Sequence, residues 1–416
     1  THFDFDLRRG EFKSNLGISK IEFPANQYIC SMDRFDWMID NEEIMLMNES
    51  NQQGAADEKS LSDMIDMAYT GSEFVSVNPK QDSLRFFALR ARYNLKANVI
   101  NAEEVRVIKV ADAAIFPDSG KVRILREAKM EQLHGAVVIA NTTARYHQFY
   151  KVDVSVSSRN KYDARGYYDY VDLAGQRQQI FFSRITTDTA GVTFAKGNVS
   201  DSMQFRLCPQ IAFEGDILLN APEKLLTFDG GFRPLTDCQP LQPQFVRFTA
   251  PVDPSHVLVP VDPKPKNTMR ESLTAGLMMS NTQGKIYPLF FGNRNSFSDS
   301  VMISASGAMD FKEGASEFRI APRDTANGLQ AGSHTLSLNT YSCLLSGSGP
   351  VYTGMNSGNM KMETWGTINH YLIPDSTSMR IAIALDFPFN DEALEKFRQQ
   401  LRAVNLSGVT LLSTPY

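Results

Sequence analysis

The sequence contains few cysteines, and they are widely spaced. Cys30, Cys208, Cys238 and Cys343 are the four cysteines among 416 residues, and no CxxC motif occurs. A zinc knuckle or a thioredoxin-like redox pair is therefore not indicated, because both need closely spaced cysteines. The even number allows disulfides, with Cys208 and Cys238 as the closest pair, and four buried thiols are an equal alternative.

Long runs of one charge and long apolar runs are also absent. Lys plus Arg number 42 against 47 Asp plus Glu, a net charge of -5. We expect no nucleic-acid partner, because binding to phosphates needs a basic surface. No window reaches the roughly eighteen apolar residues of a membrane-spanning helix, so no transmembrane segment is predicted. The chain begins at Thr1 without a charged segment followed by an apolar one, and we expect a processed product or a piece of a longer protein.

Catalytic and cofactor motifs are missing as well. No GxSxG, P-loop or dinucleotide-binding motif follows a predicted strand, and the histidines show no i, i+4 metal pair. We therefore predict no cofactor, no metal site and no catalytic residue. Asp4 with Asp6, and Asp33 with Asp36 and Asp40, offer the paired carboxylates that glycoside hydrolysis requires. Alternation places Asp4 and Asp6 on one face of a strand, so a solvated face is the simpler interpretation of that pair.

What the sequence does contain is a recurring unit, in which an aromatic residue is followed six or seven positions later by an apolar or aromatic one across a polar turn. We interpret each unit as a strand, a turn and a returning strand. The 23 residues from Tyr93 to Phe116 approach the length of one coil of a β-solenoid. The five units are Phe5–Phe12, Trp37–Ile44, Tyr93–Val99, Phe116–Val122 and Phe311–Phe318.

These patterns predict a mainly β protein with two β regions. Residues 1–250 are expected to form an elongated, solenoid-like or open β-jellyroll region, with a helical or loop insertion near 51–70 where Leu61, Met64 and Ile65 have helical spacing. Five prolines mark residues 251–267 as a linker. The second β region covers residues 268–416.

The end of the chain is predicted to be a strand followed by a helix. An apolar strand begins near Ile381, and a helix over 390–404 follows, with Asn390 as its N-cap and acidic residues in its first turn. Its apolar residues share one face, as expected of a helix that caps an exposed sheet face or an open solenoid end. They are Leu394, Phe397, Leu401 and Val404.

Two aromatic stretches are candidates for contacts with a ligand. Residues 160–176 are rich in tyrosine, which we interpret as cross-strand aromatic pairs near the end of a long hairpin, with a ligand face as the alternative. The stretch WGTINHY, from Trp365 to Tyr371, suits sugar stacking or an interface hot spot, and equally a half-buried strand. Trp365 and Tyr371 are therefore candidate ligand-binding residues.

Part of the sequence resembles known envelope proteins. The phrase DSLRFFALRARYNLKANVINAEEV, and more broadly the stretches 3–47 and 82–140, resemble the repeat of OstA-type lipopolysaccharide-transport proteins. VADAAIFPDSGKVRI, IANTTARYH and GYYDYVD are similar to segments of large cell-envelope proteins of Bacteroidota. The first resemblance implies an open β-jellyroll with an apolar groove, lined by candidates Phe86, Phe87, Tyr93 and Phe116.

These observations lead us to expect a non-enzymatic exported protein of the periplasm or cell surface. It would act as a scaffold or binding subunit of a larger outer-membrane-associated assembly, with other envelope proteins, lipid or glycan as its partners. One alternative is a periplasmic lipid or glycolipid carrier with an apolar groove. Another is a carbohydrate-active β-helix enzyme.

Overall fold

A computed structural model describes residues 2–13, 19–47, 60–67, 72–322, 334–353, 361–386 and 390–403. Strands dominate these ranges, so the predicted mainly β class is confirmed. The chain divides into two compact units. The first comprises Thr1–Thr236, Pro243–Leu273 and Ala308–Phe311, and the second Asp237–Gln242, Thr274–Gly307 and Lys312–Tyr416. Residues 251–267, for which a linker was predicted, lie within the first unit.

The first unit opens with strand pairs that alternate between two sheets, and strands are numbered here in chain order. In the first sheet the spatial order is β1 (His2–Asp4), β2 (Arg9–Lys13), β5 (Arg34–Met38), β6 (Glu43–Met47), β9 (Arg90–Asn94), β10 (Val99–Glu103) and β13 (Val122–Ile124). The second consists of β3 (Ser19–Phe23), β4 (Tyr28–Met32), β7 (Ser72–Ser76) and β8 (Arg85–Ala88).

The two sheets share one core. Side chains alternate along β4, so that Tyr28, Cys30 and Met32 are buried, as period-2 patterning requires. The ring of Phe23 in the four-stranded sheet lies 4.7 Å from the ring of Tyr93 in the seven-stranded sheet. Single residues separate β4 from β5 and β8 from β9, and at those points the chain passes from one sheet to the other.

The hairpin interpretation is confirmed for three of the five repeated units. Trp37 lies opposite Ile44, Tyr93 opposite Ile100, and Asp4 opposite Arg9 across the turn that holds Phe5. The unit from Phe311 to Phe318 runs from the first unit of the fold into the second. The ladders between these strands are antiparallel, whereas coils of a β-helix pair in parallel, so the described part of the chain does not show solenoid stacking.

The hairpin prediction is wrong for the unit from Phe116 to Val122. β12 (Ala113–Phe116) pairs with β11 (Ile108–Val110) and with β14 (Leu133–Ala140), while β13 pairs with β10. The connection contains two consecutive left-handed residues, Ser119 at φ 52° and Gly120 at φ 64°. The carbonyl of Gly120 accepts a hydrogen bond from the backbone N–H of Val105. This turn therefore does not close a hairpin and carries the chain from the sheet of β12 into the sheet of β13.

β11, β12 and β14 begin the third sheet of the first unit, an antiparallel meander of long strands. The strands that follow are β15 (His147–Ser158), β16 (Lys161–Val171), β17 (Arg177–Thr187), β18 (Thr193–Val199), β20 (Ile211–Asn220), β21 (Leu226–Pro234) and β22 (Val246–Val252), with β19 (Arg206–Cys208) beside β20. β23 (Val259–Val261) also belongs to the first unit, as do the central residues of β27 (Gly307–Lys312).

The predicted aromatic pairs are confirmed on the outer face of this meander. Tyr150 lies opposite Tyr167, and Tyr167 opposite Phe181, with ring centroids 6.1 and 5.2 Å apart. Tyr170 is instead buried on the inner face, where its hydroxyl donates to the carbonyl of Leu207 at 2.9 Å. Cross-strand contacts of this kind stabilise the sheet directly.

The short helix α1 (Leu61–Asp66) lies in the predicted insertion and packs on the third sheet. Its Ile65 is buried against Phe116 and Ile139, with Val107 and Ala114 in the same cluster. Ser60 caps the helix by accepting from the backbone N–H of Asp63. Residues 51–59 and 68–70 of the predicted insertion lie outside the described residues.

The second unit contains a three-stranded sheet and a five-stranded meander. The first has the order β25 (Ile286–Gly292), β24 (Thr274–Met279), β26 (Ser300–Ser304). The meander consists of β28 (Glu317–Ala321), β29 (Thr335–Asn339), β30 (Leu344–Pro350), β31 (Lys361–Tyr371) and β32 (Ser376–Asp386). Helix α2 (Asp391–Ala403) follows, and Asn390 caps it through a 2.8 Å hydrogen bond from the N–H of Ala393. The predicted terminal strand and helix are thus confirmed, with residue 404 outside the described range.

A disulfide joins Cys238 to Cys343 within the second unit, across a sequence separation of 105 residues. The closest pair in sequence, Cys208 and Cys238, is therefore not the pair that forms. Cys30 and Cys208 are buried thiols in the first unit. Sequence proximity failed as a guide because the chain returns to Cys238 only after β24, β25, β26, β28 and β29 of the second unit.

Candidate functional site

A cleft of about 450 Å³ opens beside the exposed ring of Trp365 in the second unit. It is formed by β26, by the residues at and just after the end of β30, and by the first half of β31. The lining residues are Val301, Met302, Ile303, Ser304, His334, Pro350, Val351, Tyr352, Met362, Glu363, Thr364 and Trp365.

Backbone hydrogen bonds hold the walls of the cleft together. β30 ends at Pro350, which lies opposite Trp365 in the ladder. The N–H of Val351 donates to the carbonyl of Thr364 at 3.0 Å, and the N–H of Tyr352 donates to the carbonyl of Met302 at 2.8 Å. The segment after β30 is therefore fixed to both β31 and β26, so the cleft is preformed in the fold.

The floor of the cleft is apolar and its rim is aromatic. Met302, Ile303 and Val351 are buried beneath it, whereas Trp365 is 43% exposed and Tyr352 is 59% exposed. Alternation along β31 explains the position of the indole, because Thr364 points inward and Trp365 outward. An indole beside apolar side chains can bind an apolar or flat group and remove a large area from water.

His334 stands at the rim beside the indole, and a glycine makes room for it. The imidazole ring centroid lies 6.3 Å from that of Trp365. Gly349 has φ 141°, and a Cβ added there would lie 2.8 Å from Cδ2 of His334. A side chain at position 349 would therefore both strain the backbone and displace the imidazole.

One carboxylate faces this rim. Glu363 precedes Thr364 on β31 and is exposed, so it adds a negative charge next to aromatic rings. A cationic group with an apolar stem could therefore stack on the indole and approach the carboxylate at once. An exposed indole, buried apolar residues and one carboxylate in a single lining are suited to binding.

The structure does not bring Tyr371 into the cleft with Trp365. Both side chains lie on the outer face of β31, since six residues separate them, and Tyr371 is also partly exposed. Six residues of strand span about 20 Å. Tyr371 lies opposite Leu344 and Ser376, beyond the lining of the cleft.

The residues proposed as the lining of an apolar groove pack mostly in the core. Phe86 is buried and stacks on Phe74 with ring centroids 5.1 Å apart. Tyr93 is buried, and its hydroxyl donates to Oδ1 of Asn98 at 2.9 Å. Phe116 is covered by helix α1. Phe87 is half-buried on the other face of β8, so the four rings do not share one surface.

The candidate carboxylates of the N-terminal region have structural partners. Asp36 is 1% exposed and is ion-paired with Arg9 and with Arg34, whose Nε lies 3.2 Å from Oδ1. Asp33 is buried as well. Asp40 is exposed and pairs with Arg8.

Asp4 and Asp6 do not share a strand face. β1 ends at Asp4, and Asp6 lies in the turn that follows. Oδ1 of Asp4 accepts hydrogen bonds from the backbone N–H groups of Asp6 and Leu7, which stabilise this turn. Within the described ranges, no group of three His, Cys, Asp or Glu side chains could hold a metal ion.

Sequence reasoning missed an aromatic row at the edge of the seven-stranded sheet. Phe3, Phe12 and Phe35 lie on three neighbouring strands, with centroid separations of 5.4 and 4.4 Å. Trp37 follows Phe35 on the same face of β5, and both Phe3 and Trp37 are substantially exposed. Only the register that places Phe12 opposite Phe35 reveals this row.

Comparison with protein-family models, with curated proteins and with solved structures finds no match to this chain. Neither helix in the described part of the chain is long and apolar enough to cross a membrane. The functional argument therefore rests on the chemistry of the cleft at Trp365.

Proposed function

We propose that this chain is a non-enzymatic binding subunit of a larger cell-envelope assembly, and that the cleft at Trp365 receives a side chain of a partner protein. The observation that carries the proposal is a cleft whose lining combines the exposed Trp365 with the buried apolar residues Met302, Ile303 and Val351. Tryptophan and tyrosine dominate binding hot spots, because they bury a large area in a preformed pocket. The volume of about 450 Å³ is sufficient for one large side chain.

The charge at the rim favours a basic partner residue. Glu363 lines the cleft together with the aromatic residues Trp365 and Tyr352. A lysine or arginine can lay its methylene stem on such rings while its charged head meets a carboxylate. We therefore assign the cleft to a basic side chain that projects from the partner.

The disulfide supports an exported location. Cys238 and Cys343 are joined within the second unit. Disulfides persist in the periplasm and at cell surfaces, whereas cytosolic proteins are generally kept reduced. A protein of the cell envelope is exposed to such an oxidising environment. A location in the periplasm or at the cell surface is therefore part of this proposal.

The chain contains two tryptophans, which provides a matched control. The test is affinity capture from the native membranes in mild detergent, with wild type, Trp365→Ala and Trp37→Ala as baits. Trp37 is 37% exposed against 43% for Trp365, so both substitutions remove a similar surface. Wild type and Trp37→Ala should retain the same stoichiometric partner, and Trp365→Ala should lose it. Equal capture by all three baits would exclude the cleft as the binding site.

The aromatic row of Phe3, Phe12 and Phe35 favours a second candidate function, a lipid or glycolipid carrier. These rings form an apolar strip at the edge of the sheet, with Phe3 exposed. Mass spectrometry of an organic extract of the purified protein should then show acyl lipid in wild type and less in Phe3→Ser. An extract free of lipid would remove this candidate without affecting the cleft.

A further inference from the structure

Strand β32 forms one edge of the five-stranded meander of the second unit. It pairs with β31 over eleven positions, from Lys361 opposite Asp386 to Tyr371 opposite Ser376, without a bulge. Among the strands that the structure describes, none pairs with its other side. Met379 is 49% exposed and Ile383 57% exposed, although both lie on the face that is buried elsewhere in this sheet.

This edge differs from the other sheet edges of the described chain. Every other strand at the end of a sheet is at most five residues long or contains a proline. These strands are β1, β3, β8, β11, β13, β22, β23, β25 and β26. Short strands and prolines prevent unwanted pairing at an exposed edge. β32 has eleven residues, no proline and one basic residue, Arg380, so its edge remains able to pair.

The sequence of β32 is self-complementary when it is paired with an antiparallel copy of itself. In RIAIALD, from Arg380 to Asp386, a two-fold axis at Ile383 sets position 380 opposite position 386. These two positions hold the only charged residues of the strand, one basic and one acidic, so the register sets opposite charges at both ends of the pairing. On the other face, position 383 lies opposite its own copy and position 381 lies opposite position 385, and each of these positions holds an apolar residue in the sequence. Opposite charges and matched apolar residues directly across two strands stabilise a sheet.

We propose that two copies of this chain associate through β32, in antiparallel register with the two-fold axis at Ile383. The pairing joins two five-stranded meanders into one continuous sheet and covers the exposed Ile383 side chains. It is an isologous interface, in which the same strand supplies both halves and the assembly closes at two copies. The cleft at Trp365 has no part in this argument, so the two proposals can fail independently.

The first test measures mass in solution by sedimentation. Wild type should sediment at twice the 46.5 kDa of one chain, with dissociation on dilution. Arg380→Asp places like charges opposite each other at both ends of the pairing, and Asp386→Arg does the same with the opposite sign. Each single variant should weaken the dimer by about tenfold or more. The double variant Arg380→Asp with Asp386→Arg should recover the wild-type affinity.

The double variant is decisive because misfolded single variants would not be rescued by a second charge change. Ile373→Lys serves as a control for charge added at an exposed apolar residue outside the strand, since Ile373 follows the end of β31 and is exposed. It should leave the dimer unchanged. A wild-type protein that stays monomeric, or a dimer unaffected by Arg380→Asp, overturns the proposal.

A second test measures the register with a short thiol cross-linker. At the two-fold axis, a cysteine at position 383 lies within about 5 Å of its copy. A cysteine at position 379 lies about eight residues, or roughly 26 Å, from its copy along the paired strands. Ile383→Cys should therefore cross-link into a covalent dimer and Met379→Cys should not. Cys30 and Cys208 are buried, which limits background reaction. Equal cross-linking of both variants would refute the register.

Discussion

Loss of the disulfide should destabilise the second unit and leave the first unit unchanged. Cys238 and Cys343 close a loop across 105 residues, and both belong to the second unit. Closing a loop of about 100 residues removes roughly 4.7 kcal/mol of chain entropy from the unfolded state at 25 °C. With a urea slope of about 2 kcal/mol/M, the double variant Cys238→Ser with Cys343→Ser should unfold at a urea concentration lower by roughly 2 M.

The two tryptophans allow each unit to be followed separately. Trp37 lies in the first unit and Trp365 in the second, so Trp37→Phe leaves a fluorophore only in the second unit and Trp365→Phe only in the first. In urea titrations, the signal of Trp365 should shift by the full amount and the signal of Trp37 should not move. An unchanged Trp365 transition, or equal shifts of both signals, would refute the argument that the disulfide constrains only its own unit.

Three further predictions concern the core, a buried histidine and the cleft. Phe86→Ala removes a buried ring stacked on Phe74 and should cost about 3–5 kcal/mol in the Trp37 transition, whereas Phe87→Ala at the half-buried neighbouring position should cost clearly less. Burial lowers the pKa of His147 below its ordinary 6.5, so the unfolded chain takes up a proton at a higher pH than the folded chain does. The free energy of unfolding should therefore fall as pH drops below about 6.5. His147→Gln should flatten this pH dependence, and an unchanged slope of unfolding free energy against pH would contradict the argument. Gly349 has φ 141°, so Gly349→Ala should lower the free energy of unfolding by about 1–2 kcal/mol in the Trp365 transition. The added methyl group should also displace His334 and weaken capture of the partner. A variant with wild-type stability and wild-type capture would show that the glycine is dispensable.

Local pairings could be predicted from the sequence because they depend on neighbouring residues. The hairpins at Trp37 and Tyr93 combine period-2 alternation with a short polar turn, and both signals lie within about a dozen residues. The terminal helix after Asn390 is similarly local, since an N-cap and an amphipathic face define it. In each case the interaction that decides the structure is contained in the segment itself.

Pairings between distant segments could not be predicted in this way. Phe116 and Val122 resemble the other hairpins in sequence, yet they belong to different sheets, because two left-handed residues redirect the chain between them. The floor of the cleft shows the same limit. Composition singled out Trp365, but the cleft beside it also contains Met302 on β26 and Val351 just after β30, where a backbone hydrogen bond joins Tyr352 to Met302. Registers of this kind are set by tertiary packing.

The cleft and the proposed dimer together lead to a prediction about affinity. Trp365 lies opposite Ala382, on the outer face of the strand next to β32. A dimer centred on Ile383 would place the two indoles on the same face of one sheet, three strand spacings or about 15 Å apart. A partner that carries two suitable side chains, or that is immobilised densely, would engage both clefts and dissociate much more slowly than from a single cleft.

On a surface that carries densely immobilised partner, Arg380→Asp should accelerate dissociation at least tenfold, although it leaves the cleft intact. The added change Asp386→Arg should restore slow dissociation. Binding in solution to one soluble partner site should be equal for all three proteins. If Arg380→Asp also weakened that single-site binding, the substitution would be acting on the cleft itself, and the argument for two cooperating sites would fail.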